Sequence, residues 1–209
     1  MDIQFYGANC ISLGYKNTRL VFDDNLSELG KKSVLKNGDV ALFTTQRVNV
    51  TGVDTRLFID SPGEYEISDI SIKGIAARSH IDSVNAHNAT MYKVSAGDIS
   101  LLVTGHVYPH FNDDQLEAIG IIDVIVIPVG GHGYTLDPKG ALTVIKELEP
   151  KLIIPTHYDN GSIKYPVPQL SLNQVLSELS MEPKETVAKL RIKAADLSDV
   201  AQLVILQTD

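Results

Sequence analysis

The sequence predicts an α/β fold in which β-sheets are sandwiched by helices. Three observations predict it. The first half is a succession of short β-rich runs punctuated by turn residues, and the second half alternates strand and helix signals. The apolar run at 123–128 is continuous rather than alternating, as in a strand covered on both faces. The length of 209 residues, with 44% hydrophobic and 21% charged residues, predicts one domain over 1–209 with a core of ordinary size.

Taken in order, Ile3–Tyr6, Cys10–Gly14 and Arg19–Asp23 read as strands separated by Gly7-Ala-Asn9 and Lys16-Asn17. Residues 25–38 are polar, with glycines at 30 and 38, and read as a loop or short helix. Val40–Thr44 and Arg56–Ile59 are strands. Ser61-Pro-Gly-Glu64 is expected to be a type II turn, with Pro62 presetting φ and Gly63 supplying a positive φ. Strands follow near Tyr65–Ile67 and Ile70–Ile75. Ala89–Ser95 and Ile99–Thr104 flank Ala96-Gly97-Asp98, a hairpin signal. Residues 112–119 read as a helix capped by Asn112, and Pro138–Leu148 as one capped by Asp137 with proline at its first position. Lys151–Pro155 is a strand, Leu170–Leu179 a helix, and Leu190–Lys193 and Leu203–Gln207 are late strands.

The formal net charge is −8, which argues against a broad nucleic-acid or anionic-membrane surface. The single cysteine, Cys10, excludes an intrachain disulfide and fits a reducing compartment. The N-terminus lacks a basic stretch followed by an apolar run, and no apolar run reaches the roughly 18 residues of a membrane span, so a cytoplasmic protein is expected.

Six segments carry a resemblance: Gly7-Ala-Asn-Cys10, Val21-Phe-Asp-Asp24, Ser61-Pro-Gly-Glu-Tyr-Glu66, Gly74-Ile-Ala-Ala-Arg-Ser-His80, Asp123-Val-Ile-Val-Ile-Pro-Val-Gly-Gly131 and Pro150-Lys-Leu-Ile-Ile-Pro-Thr-His-Tyr158. In order and spacing they resemble the metallo-β-lactamase superfamily, in particular its small branch similar to ascorbate-phosphate lactonases. The resemblance implies a four-layer αββα sandwich with a site at the loop edge of two sheets. It also implies two zinc or similar ions, held by a His-x-His-x-Asp-His loop, a later His, a bridging Asp and a final His; such a pair activates a shared hydroxide and polarises the substrate.

Position by position, the resemblance puts the loop ligands at Thr45, Arg47, Asn49 and Val50, the later His at His80, the bridging Asp at His106 and the final His at His157. Both carboxylates are thus replaced by groups that can be neutral, Asn49 and His106, as expected of a cleft without its cations, where a bare carboxylate would be costly. Arg47 cannot bind metal but brings a fixed positive charge.

His80, His106 and His157 could hold one zinc ion, since three histidines and a water make a catalytic zinc set. The alternative is a vestigial trio hydrogen-bonded to its neighbours. His132 and Asp82 are candidate proton carriers, while His110, beside Pro109, and His87 are read as loop residues. Gly130 and Gly131, in a glycine loop ahead of a helix, are candidate ligand-binding positions together with Arg47 and Asn49, their ligand a small anion. Arg78 could add charge at the same rim. Asp23 is read as a structural brace and Cys10 as a small buried hydrophobe. The leading expectation is a hydrolase homologue acting as a non-catalytic binding or structural module, with no cofactor. The alternative is a hydrolase of ester, lactone or phosphodiester bonds using one zinc ion. No oligomeric state is predicted.

Overall fold

The computed structural model describes residues 1–47, 52–84 and 86–208. Among these, the elements run β1 (Asp2–Gly7), β2 (Cys10–Tyr15), β3 (Thr18–Phe22), β4 (Val40–Leu42), β5 (Leu57–Ile59), β6 (Gly63–Ile67), β7 (Ile70–Ala77), β8 (Ala89–Ala96), β9 (Ile99–Val103), α1 (Asp113–Ile119), β10 (Val124–Pro128), α2 (Pro138–Leu148), β11 (Leu152–Thr156), α3 (Leu172–Leu179), β12 (Pro183–Val187), β13 (Lys189–Arg191) and β14 (Gln202–Leu206). Described strands form a six-stranded sheet, β13-β1-β2-β3-β4-β5, and an eight-stranded sheet, β12-β14-β11-β10-β9-β8-β7-β6. This is the two-sheet α/β architecture expected from the resemblance.

Side-chain parity explains the packing. In β1, Ile3 and Phe5 point into the space between the sheets, and Ile70 and Ile72 of β7 do the same from the other side. In β3 and β4, Leu20, Phe22, Val40 and Leu42 join that core. Val21 and Ala41 face outward into a second apolar cluster with Leu26, Leu35 and Phe43, so these strands are buried on both faces. The cover there is the 24–38 loop with its 3-10 turn at Leu26–Leu29. Asp24 fastens this loop by accepting from the Ser33 hydroxyl and the Val34 and Leu35 amides at 2.7–2.9 Å. On the other flank, α1 leans on β7, α2 on β10, and α3 on α2.

Helix starts follow their local signals. Asn112 and Ser171 form capping boxes with Gln115 and Gln174, and Asp137 accepts the Gly140 amide ahead of Pro138. One expectation needs correction, and one strand was missed. Gly63 lies inside β6 without a positive φ, so no type II turn uses it; a Cβ there would crowd the Tyr65 ring, which crosses over it. The strand β12 was not predicted: its Pro-Lys-Glu-Thr-Val composition carries no apolar alternation, as suits a polar sheet edge.

Strand direction sets the position of the site. β9, β10, β11 and β14 are parallel, and β7, two antiparallel pairings away from β9, runs the same way; in the other sheet β1, β3 and β4 share one direction. Loops leaving carboxyl ends of parallel strands form the usual crevice of such sheets. The two sheets are stitched at this rim, where the Thr90 amide donates to the Thr44 carbonyl at 2.8 Å and the His157 amide to the Ala8 carbonyl at 2.8 Å. No helix among the described residues is long and apolar enough to cross a membrane.

Candidate functional site

The loops after β1, β9, β10 and β11 bring together residues far apart in sequence. Three residues at the rim, Ala8, Asp23 and His157, have φ between 47° and 55°, a conformation that costs a non-glycine residue free energy and is tolerated where surrounding bonds fix it. Asp23 shows such fixing. It takes the Thr44 amide and the Thr44 hydroxyl on its two carboxylate oxygens, both at 2.7 Å, and so ties the end of β3 to the end of β4. Burial pushes its carboxyl up to about 6 against those stabilising bonds. The structural reading of Asp23 is what the geometry bears out.

Asn9 occupies the centre. Its Oδ1 accepts the Thr156 hydroxyl at 3.0 Å, which aims Nδ2 at Nε2 of His106, also 3.0 Å away. An amide N–H there requires Nε2 to be the acceptor, so the His106 proton sits on Nδ1, which is buried and has no partner among the described residues. The His106 ring stands edge-on to His157, with centroids 4.6 Å apart, and to Tyr134 at 4.9 Å. Burial, then the neighbouring His157 and His80 and the Arg47 charge, hold its pKa well below the usual histidine range.

His157 is fixed differently. Gln169 donates Nε2 to the Val167 carbonyl at 2.8 Å, so its Oε1 faces Nδ1 of His157 at 3.1 Å and accepts that proton. Nε2 of His157 is then a lone pair with no hydrogen-bond partner among the described residues, on a residue that lines a cavity of about 300 Å³. Burial brings the His157 pKa down to about 4, so this lone pair persists at neutral pH. Tyr165 stacks at 4.9 Å from the His157 ring while its hydroxyl accepts the Ala8 amide at 3.1 Å, and Tyr134 lies at 5.8 Å. Gly130 makes this arrangement feasible, because a Cβ there would overlap the His157 carbonyl and Gln169 Oε1.

The structure brings His80, His106 and His157 to one rim; the His80 amide donates to the His106 carbonyl at 2.8 Å, and the buried His80 Nδ1 has no partner among the described residues. Arg47 reaches the same region but forms an ion pair with Glu28, and its guanidinium lies 6.0 Å from the Phe43 ring. Asn49 and Val50 lie outside the described residues. The Gly131 amide donates to the Leu136 carbonyl at 3.0 Å, which commits it within its own loop. His132 is exposed on the turn and is not in the cavity wall. Asp82 accepts from the Ser79 amide and from the Asn88 amide and side chain at 3.0–3.3 Å. Burial raises its carboxyl, but these bonds and the Arg78 charge outweigh it and lower the pKa, so the carboxylate braces its loop. Arg78 donates to the Asp82 carbonyl and stacks on Tyr108 at 3.9 Å. Among the described residues no group of three or more His, Cys, Asp or Glu is arranged to hold a metal ion.

Asn9, Tyr134, Tyr165, Gln169 and Glu28 escaped the sequence reading. Asn9 stood inside a segment carrying the resemblance; the others have no local signal, since their roles depend on partners up to 157 residues away.

A family model described as the beta-lactamase superfamily domain matches residues 2–157. The chain belongs to that superfamily. Within the superfamily, it is 26% identical over 170 residues to a UPF0173 metal-dependent hydrolase of Enterococcus faecalis, a match covering 78% of this chain and 72% of the relative. It is 29% identical over 101 residues to a UPF0173 metal-dependent hydrolase of Thermococcus onnurineus, covering 46% of this chain but only 44% of the relative, less than half of its length. Among solved structures, a protein of Thermotoga maritima described as a zinc-dependent hydrolase of the metallo-β-lactamase superfamily superposes with a TM-score of 0.77 at 23% identity, covering 100% of this chain and 99% of that one. The metallo-β-lactamase fold protein YhfI of Bacillus subtilis superposes at 0.61 with 9% identity, over 99% and 96%. These structural likenesses are ones of fold.

Proposed function

We propose that this superfamily member has lost the dinuclear metal site and acts as a metal-free, non-catalytic binding module for a small molecule, in the cytoplasm. The observation that carries the reading is the Asn9–His106 hydrogen bond: the Nε2 lone pair that a metal would need is taken by an amide N–H, and the other ring nitrogen holds the proton. Of the three histidines, only His157 has a lone pair whose freedom is fixed by its neighbours. These donors do not fit a pair of divalent ions.

The second reading is a hydrolase using one metal ion. It is favoured by the names of the relatives and by the His157–Gln169 bond, since a metal-binding histidine ordinarily donates its second N–H to a fixed acceptor. Elemental mass spectrometry of untagged protein supplied with zinc, manganese and iron separates the two. Metal at background level is expected. About one tightly held equivalent, lost in a His80/His106/His157 triple alanine variant, overturns the first reading in favour of the second.

A further inference from the structure

The cavity beside His157 has a chemical bias. Its polar wall offers the Nε2 lone pair of His157, the Glu28 carboxylate, which is 60% exposed and paired with Arg47, and the Tyr134 hydroxyl, which can donate or accept. Apart from the Tyr134 hydroxyl, the donors nearby are engaged. The Gln169 amide serves Val167, the Asn25 amide meets the Asp23 carbonyl at 3.1 Å, the Tyr165 hydroxyl takes the Ala8 amide and points its own proton towards the Tyr158 carbonyl at 3.4 Å, and the Arg47 guanidinium is paired with Glu28. The cavity wall contains no Lys or Arg among the described residues. The remaining surface is aromatic or aliphatic, with the rings of Tyr134 and Tyr165 at 5.8 and 4.9 Å from the imidazole, both tilted to it, and Leu29 and Val167 in the same wall. Aromatic faces with a carboxylate favour positive charge, and a lone pair without a proton requires a donor. A volume of about 300 Å³ is at the small end for a ligand pocket and suits one flat ring system.

We propose that this pocket binds a small planar nitrogen base, its N–H groups directed at His157 Nε2 and Glu28 and its ring held between Tyr134 and Tyr165. The proposal rests on the reading of the site as a metal-free binding pocket and names its ligand class. An anion is disfavoured there because it would meet a lone pair and a carboxylate.

Three nearly isosteric probes test the class by calorimetric titration of chelator-treated protein: benzamidine, a flat cation with N–H donors; benzamide, its neutral counterpart; and benzoate, an anion without donors. Benzamidine is expected to bind most tightly, benzamide next, and benzoate at least about tenfold more weakly than benzamidine. Glu28→Gln, at an exposed position, is expected to weaken benzamidine about threefold and leave benzamide unchanged. Tyr134→Ala, at a residue 42% exposed, is expected to weaken both cation and amide. Benzoate or inorganic phosphate binding as tightly as benzamidine overturns the proposal. So does an absence of binding up to about 10 mM, poor even for a fragment in a formed pocket, or a benzamidine affinity indifferent to both variants. Metal analysis of the preparation before chelator treatment keeps the two readings apart: tightly held metal with the probe order intact removes the metal-free reading alone, whereas absent metal with benzoate preferred removes the ligand class alone.

Discussion

The side-chain amide of Asn9 lies 3.0 Å from Nε2 of His106, and the Thr156 hydroxyl, bonded to Asn9 Oδ1 at the same distance, fixes which end of the amide faces the ring. The tautomer of a half-buried histidine is thereby set by a residue 97 positions away. Long-range proton–nitrogen NMR is expected to show both His106 and His157 as Nδ1–H tautomers at neutral pH; an Nε2–H signal for His106 would reverse the Asn9 assignment. Asn9→Ala, which strands the Thr156 hydroxyl and the His106 lone pair in a buried setting, is expected to cost about 1–3 kcal/mol in urea unfolding.

Asp23 and His157 are expected to oppose each other in the pH dependence of stability. The carboxyl of Asp23, at about 6 in the folded state against 3.8, binds a proton more tightly when folded, so its contribution falls as pH rises from about 4 to 6 and stays low above that. His157, at about 4 against 6.5, resists protonation when folded; its contribution is full above 6.5 and is lost as pH falls towards 4. Each amounts to about 3 kcal/mol, so between pH 4 and 6 they largely cancel. Denaturant midpoints should therefore rise with pH in Asp23→Asn and fall with pH in His157→Asn over that window. Parallel curves for the two variants would show that these groups do not govern the pH response.

Gly130 and Gly133 lie three residues apart and should behave differently. A methyl at Gly130 meets the His157 carbonyl and Gln169 Oε1, so Gly130→Ala must displace the cavity wall and is expected to cost about 3 kcal/mol or more. Gly133 has open space around it and a φ of 74°, so Gly133→Ala should cost only the left-handed backbone penalty, about 1–2 kcal/mol. Equal losses in a urea titration would refute the close approach at Gly130.

Arg47→Ala removes the ion pair with Glu28, a partner mostly exposed to water. The stability change is expected to be below about 1 kcal/mol and to shrink further with added salt. A larger, salt-insensitive loss would mean that Arg47 supports the rim through more than this pair.

Legibility in the sequence followed the range of the forces involved. The helix at Pro138–Leu148 was predicted with its bounds because Asp137, Pro138 and the Gly140 amide complete the cap within four residues. The strands Val124–Pro128 and Leu152–Thr156 were visible as apolar runs, because burial on both faces leaves no polar alternation. By contrast, β12 carries no hydrophobic pattern and is a strand because β14 lies beside it, and Gly63 owes its place to the Tyr65 ring rather than to turn geometry.

The sequence by itself determined most of the strands, the capped helices, the superfamily, and the residue types at the positions where the resemblance implies metal ligands, among those described His80, His106, His157 and Arg47. Only the tertiary structure decided what those side chains do. The lone pair of His106 is used because β1 delivers Asn9 to it, and that of His157 is free because the segment after β11 returns Gln169 to its other nitrogen. Arg47 is neutralised because the 24–38 loop brings Glu28 alongside. A ring nitrogen's availability depends on a partner within about 3 Å, and here chain separation along the sequence carries no information about that distance.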